Sequence, residues 1–238
     1  MNIKMTGLVV LLAGVTYLFG AAGVTGTPHD MSARLWDGVN STEDNGEICV
    51  YCHTPHAAST NFTPIWNKNG ATAANGYTLY GTTMGGTVVD GDTSGSLNPP
   101  SMACLSCHDG ATALNSVVNV PGSGLGDGII GTNGELMGAG VAANLGTSLT
   151  NDHPVYTPYN YSATPALNVA GLKNPLTAAL GSGFVDDFLR TTGSTKYVEC
   201  GTCHDPHNGA DTKLGTTQVA FLRQTNVASA LCLACHDK

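Results

Sequence analysis

The chain has 238 residues and a formal charge of -8, with 11 % charged and 6 % aromatic residues against 31 glycines. The acidic excess serves solubility and makes nucleic acid a poor partner, because phosphate-binding surfaces are basic. Residues 69–100 and 121–150 carry Gly, Thr, Asn, Ala and Ser without periodicity, so by composition alone they read as irregular rather than as packed elements.

Residues 1–23 read as a signal peptide. Lys4 is the only charge before Asp30, an apolar run extends from Leu8 to Phe19, and Gly20-Ala21-Ala22-Gly23 follows. A charged start, an apolar core and a small-residue cleavage zone mark an exported protein, with cleavage expected after Ala22 or Gly23. An uncleaved membrane anchor is the competing reading. Against it stand Gly7, Gly14 and Gly20 and the lack of a basic flank beyond the run. No cysteine lies near the cleavage zone, which argues against a lipid anchor.

In chain order, the free histidine His29 comes first. Cys49-Val50-Tyr51-Cys52-His53-Thr54-Pro55-His56 follows, then a possible short strand at Tyr77–Thr83 that turn residues interrupt. Ser101–His108 reads as a short helix ending in Cys104-Leu105-Ser106-Cys107-His108-Asp109. His153 and a second short strand, Val155–Tyr161, precede Cys200-Gly201-Thr202-Cys203-His204-Asp205-Pro206-His207. The best helix is Asn226–His236, capped at Thr225 or Asn226 and carrying Cys232-Leu233-Ala234-Cys235-His236. The order repeats: free histidine, Cys-x-x-Cys-His-x-Pro-His, Cys-x-x-Cys-His-Asp. Such self-similarity predicts a duplication, with a first unit at 24–120 and a second at 121–238, in one domain overall.

Four copies of Cys-x-x-Cys-His use all eight cysteines. This is the attachment pattern of c-type haem. Two thiols three positions apart can bond the two vinyl groups of one porphyrin, and the next histidine supplies an axial nitrogen. A thioredoxin-like redox pair needs no following histidine and would not recur four times. Zinc fingers need wider histidine spacing than His53 to His56. Disulfides are common in exported proteins, but cysteines three apart pair poorly, and nothing in disulfide chemistry calls for the histidines. The sequence therefore predicts four haem c, bound through Cys49 and Cys52, Cys104 and Cys107, Cys200 and Cys203, and Cys232 and Cys235. Four porphyrin plates would replace a side-chain core, so the expected fold is mostly coil with a few short α-helices and little β. Trp36, Trp66, Tyr77 and Tyr80 are expected to pack against haem.

Four haems with two axial histidines each require eight, and the chain has eight. His53, His108, His204 and His236 belong to the motifs; His29, His56, His153 and His207 remain. Met31, Met84, Met102 and Met137 are competing axial ligands that the count does not need. His56 lies three residues past His53, a reach of at most roughly 10 Å, too short for both to serve one iron. The proline between them directs His56 to a neighbouring haem. The expected pairing gives His56 to the haem of His108 and His207 to the haem of His236. His29 and His153 then serve His53 and His204, in an order left open. Paired histidines leave no open coordination position, so an electron-transfer protein without catalytic residues is expected rather than an enzyme.

The pattern resembles the multihaem c-type cytochromes with doubled Cys-x-x-Cys-His motifs. Pro28-His29-Asp30-Met31, Ile48 to His56, Cys104 to Gly110 and Asn151-Asp152-His153-Pro154-Val155 carry the resemblance. Four haems, chain size and little regular structure are similar to the filament-forming tetrahaem cytochromes of the OmcE type, the extracellular cytochrome nanowires. The resemblance implies export, because covalent haem is attached outside the cytoplasmic membrane, and a place outside the cell or on its surface. It also implies self-association into a filament in which a histidine of one subunit ligates a haem of the next, with His29 as the candidate. Other redox proteins or an extracellular acceptor would be the partners. The alternatives are a soluble periplasmic tetrahaem carrier, a membrane-anchored quinol dehydrogenase, and a haem reductase with an open iron.

Overall fold

A computed structural model describes residues 23–25, 27–31, 35–36, 39–40, 48–60, 65–68, 76–78, 100–114, 116–119, 136–168, 170–208 and 221–237. Most of the expected leader, Met84, Tyr80 and most of the Tyr77–Thr83 strand lie outside the described residues. No helix among the described residues is long and apolar enough to cross a membrane.

Helices are short, and each one that carries a cysteine motif ends with it. The first motif sits on a 3-10 turn, Cys49–Tyr51. Helix α1 (Pro100–His108) starts at a proline, whose missing N–H needs no partner in a first turn. It is one residue longer than predicted. Helix α2 is Val185–Phe188, and α3 (Cys200–Cys203) carries the third motif. The fourth lies on α4 (Ala230–Cys235), shorter than the predicted Asn226–His236. Ala228 and Ser229 take left-handed φ values of 52° and 62° and break the helix there. Thr225 Oγ1 accepts from Val227 N at 3.2 Å, a local side-chain bond that competes with helix.

Strands are also short. β1 (Leu35–Trp36) pairs with β2 (Val39–Asn40). The larger sheet has the order β3-β7-β6, all antiparallel, from β3 (Thr157–Pro158), β6 (Arg190–Thr192) and β7 (Thr195–Val198). Only Thr157–Pro158 of the predicted Val155–Tyr161 is strand. The β6–β7 hairpin was not predicted, although Gly193-Ser194 between threonine-rich arms is a recognisable turn signal; Gly193 has φ +60°. A second hairpin joins β4 (Ala179–Leu180) to β5 (Gly183–Phe184). Its Gly181 has φ +56°, and a Cβ there would come within 2.5 Å of Arg223 O, so glycine is required on both counts.

These hairpins enclose an apolar core of Tyr159, Leu172, Leu180, Val185, Leu189 and Ala234. Tyr159 Oη bonds the carbonyls of Lys173 and Cys235 at 3.0 and 3.2 Å, tying the core to the end of α4. The first half is held by polar bonds instead. Asn67 Nδ2 donates to Val50 O (2.7 Å) and Asn119 O (2.9 Å), and Asn67 Oδ1 accepts from Asn119 N (2.9 Å). Asn67 and Lys68 are both 0 % exposed.

Candidate functional site

The local geometry of each motif follows from helical pitch. Residues i, i+3 and i+4 share one face of a turn, so two cysteines and a histidine at these positions point the same way. The turn is closed in three copies by the histidine N–H, donating to the first cysteine's carbonyl: His53 to Cys49 (2.8 Å), His204 to Cys200 (2.9 Å) and His236 to Cys232 (2.9 Å). His108 is the last residue of α1.

Each thiol pair lies within electrostatic reach of the next one in chain order, a succession called a file below. Cys52 feels the charge of Cys107, Cys104 that of Cys200, and Cys203 that of Cys235 and Cys232. Helices α1 and α3 pack together at the middle of the file. There Ser101 Oγ donates to the Glu199 carboxylate and accepts from Cys200 N at 3.0 Å. Burial, then Cys107, pushes the Cys52 thiol up to about 12. Burial, then Cys235, pushes Cys203 up to about 11. Cys104 and Cys200 act on each other as a close pair, with Cys104 held well above the ordinary thiol value and Cys200 below it. None of the eight cysteines is in a disulfide.

Two buried carboxylates beside the file are shifted in opposite directions. Asp109 is 1 % exposed. Burial works against its charge, but bonds from the Thr112 side chain and N–H, Ala111 N and Tyr77 Oη outweigh burial and hold its pKa below the ordinary value. Glu199 is 3 % exposed, and among the described residues its Oε1 has no hydrogen-bond partner. Burial raises its pKa beyond what Ser101 and Arg190 can offset.

Among the described residues, histidine rings meet in three pairs. Ring centroids are 6.0 Å apart for His29 and His108, 6.1 Å for His53 and His207, and 6.5 Å for His153 and His236. A metal–imidazole bond is about 2 Å, so two nitrogens across one metal lie about 4 Å apart and their ring centroids roughly 6 Å apart. The spacing fits an iron between each pair. Four of the six rings have Nδ1 beside a backbone carbonyl: His29 at Pro206 O (3.3 Å), His108 at Ala143 O (2.9 Å), His153 at Pro154 O (2.9 Å) and His236 at Ala170 O (3.2 Å). A carbonyl only accepts, so Nδ1 carries the hydrogen and Nε2 keeps the lone pair a metal needs. Phe221 stacks on His29 at 4.2 Å, and Trp66 meets His53 edge-on at 5.5 Å.

These pairs differ from those expected from spacing. His108 faces His29, not His56; His236 faces His153, not His207; and His207 reaches across the molecule to His53. His29, expected to reach a neighbouring subunit, turns inward to His108 of its own chain. Long-range contacts rather than spacing set the pairs: α1 packs on α3, and His29 Nδ1 lies at Pro206 O just past the third motif. His56 and His204 are both exposed. Of the expected aromatic packers, Trp66 lies against His53 and Tyr77 bonds Asp109 at 2.8 Å; the Trp36 side chain and Tyr80 are not among the described groups. Asn67, Lys68, Ser101, Glu199 and Asn119 were not legible as site residues. Each is a common polar residue in an irregular stretch, with no motif to mark it.

Among the described residues, no three His, Cys, Asp or Glu side chains converge as a site for a bare metal ion. No protein-family model and no curated protein matches the chain.

Proposed function

We propose that the chain binds four haem c and passes electrons along them. The observation that carries this reading is the set of three histidine pairs at iron-spanning separation, beside a file of Cys-x-x-Cys-His turns. Cys49 and Cys52 would hold one haem with His53 and His207 as axial ligands. Cys104 and Cys107 would hold the next with His108 and His29. Cys232 and Cys235 would hold the last with His236 and His153. The third, on Cys200 and Cys203 with His204, takes the remaining histidine, His56, from this chain or from a neighbouring copy.

Haem supplies one-electron redox chemistry when bound. The chain's own residues anchor, orient and shield. The thiols fix each porphyrin edge, the Nδ1–carbonyl bonds hold the imidazoles in the ligating tautomer, and Phe221 and Trp66 cover two of the rings. Filled axial positions favour transfer over substrate chemistry. The finer reading is an exported subunit of an extracellular or cell-surface filament that serves other redox proteins or an extracellular acceptor. Exposed His56 replaces His29 as the group that would reach the next subunit.

Holoprotein should carry four covalent haems per chain with low-spin, bis-histidine spectra. His207→Met should convert one haem, that of Cys49 and Cys52, to a His/Met spectrum and raise its potential. Absence of covalent haem would overturn the reading. Electron micrographs of native material should show filaments with a repeating haem chain; monodisperse subunits after detergent-free extraction would point to a periplasmic carrier. An uncleaved N-terminus on the mature protein would point to the membrane-anchored quinol dehydrogenase.

A further inference from the structure

We infer that Lys68 sets the potential of the first half: its buried ammonium makes the haems on Cys49/Cys52 and Cys104/Cys107 easier to reduce than the other two. This rests on the haem reading above and adds a direction to it, with electrons drawn toward the first half.

Lysine is almost never fully buried unless paired, yet Lys68 is 0 % exposed. Its Nζ donates to Ala113 O at 3.1 Å and Leu114 O at 2.7 Å. Both acceptors are backbone carbonyls just past the second motif, and no carboxylate among the described residues bonds it. The position is rigid. Lys68 bridges to Val117, Asn67 O accepts from Val118 N at 2.9 Å, and Asn67 N donates to Cys52 O at 2.8 Å. Lys68 is thus pinned between the first and second motifs, and its charge acts on the thiols of both Cys52 and Cys107.

A reduced haem carries one more negative charge than an oxidised one. A fixed cation in a water-excluded site therefore favours reduction. Other charges do not cancel the asymmetry. Asp109 opposes Lys68 at Cys107 but more weakly, and Glu199 acts on one thiol of each half, Cys104 and Cys200. In the second half, Arg223 faces Cys203 but is paired with Asp205 at 3.2 Å. Lys173 faces Cys235, but its Nζ is on the exposed side, bonded to Leu233 O, where water screens it.

The test is a spectroscopic redox titration of the four-haem protein, with haems assigned by magnetic resonance. In Lys68→Met the two first-half haems should lose about tenfold in reduction equilibrium, a downward shift of about 59 mV for one electron, while the other two stay in place. Lys68→Arg should retain the native values. A four-haem Lys68→Met protein with unchanged potentials, or with one uniform shift of all four, overturns the proposal. Should Lys68→Met fail to mature, the native titration decides: first-half haems above second-half haems supports the inference, and the reverse order or equality overturns it. Native protein without covalent haem would refute the haem reading itself, a distinct outcome.

Discussion

The two halves carry the same motif order on different supports. The first is braced by buried polar groups: Asn67, Lys68, Asp109 and Thr112 are each at most 1 % exposed, and Asn119 completes the network. The second is braced by an apolar cluster under two hairpins, with Leu180 and Val185 at 0 %. A Cys-x-x-Cys-His turn needs only a closed helical turn and a fixed approach of its histidine, and either kind of packing supplies both. Apolar packing is tolerant and non-directional. The polar network is specific but costly if half-satisfied. The two buried carboxylates illustrate this, Asp109 ionised within four bonds and Glu199 with an orphan oxygen.

Substitutions can break the comparison. Leu180→Ala should have the largest effect, destabilising by about 2–5 kcal/mol in denaturant unfolding; a cost within noise would mean that the second half is not core-held. Asn67→Ala should cost about 1–3 kcal/mol, because the Val50 and Asn119 carbonyls lose their donor, and should expose the first motif's amides to hydrogen exchange. An unchanged exchange pattern would remove the polar clamp from the account.

Asp109→Asn should cost about 1–2 kcal/mol at neutral pH. The native pKa is depressed, so the contribution is present above the ordinary value of 3.8. It is lost as pH falls through the folded value. Mutant and native unfolding curves should therefore converge in acid; a constant gap would contradict the ionised assignment. Glu199→Gln should act least and in the opposite direction, stabilising by about 1 kcal/mol or less at neutral pH. Its pKa is raised, so its favourable contribution is full below the ordinary 4.5 and lost as pH rises through the folded value. The amide still accepts from Ser101 and removes that loss. A destabilised Gln variant at neutral pH would show that the carboxylate charge is needed.

Local structure was the legible part. Ser101–His108 was readable as helix, and the i, i+3, i+4 spacing already places two thiols and an imidazole on one face. Asn226–His236 was overextended because propensity does not register the left-handed backbone at Ala228 and Ser229. The histidine partners were not legible. Counting set their number, but His207 meets His53 and His29 meets His108 across long stretches of chain, and loop closure costs so little per added residue that sequence distance hardly constrains such meetings.

The sequence by itself therefore determined what short-range geometry can hold: four Cys-x-x-Cys-His turns, eight histidines, and the repeat that links them. Only the tertiary structure decided which ring faces which, that the thiols lie in a file, and that a lysine bonded to two backbone carbonyls sits buried beside two of them. Those are properties of long-range packing, where the α1–α3 contact brings together side chains that no local pattern relates.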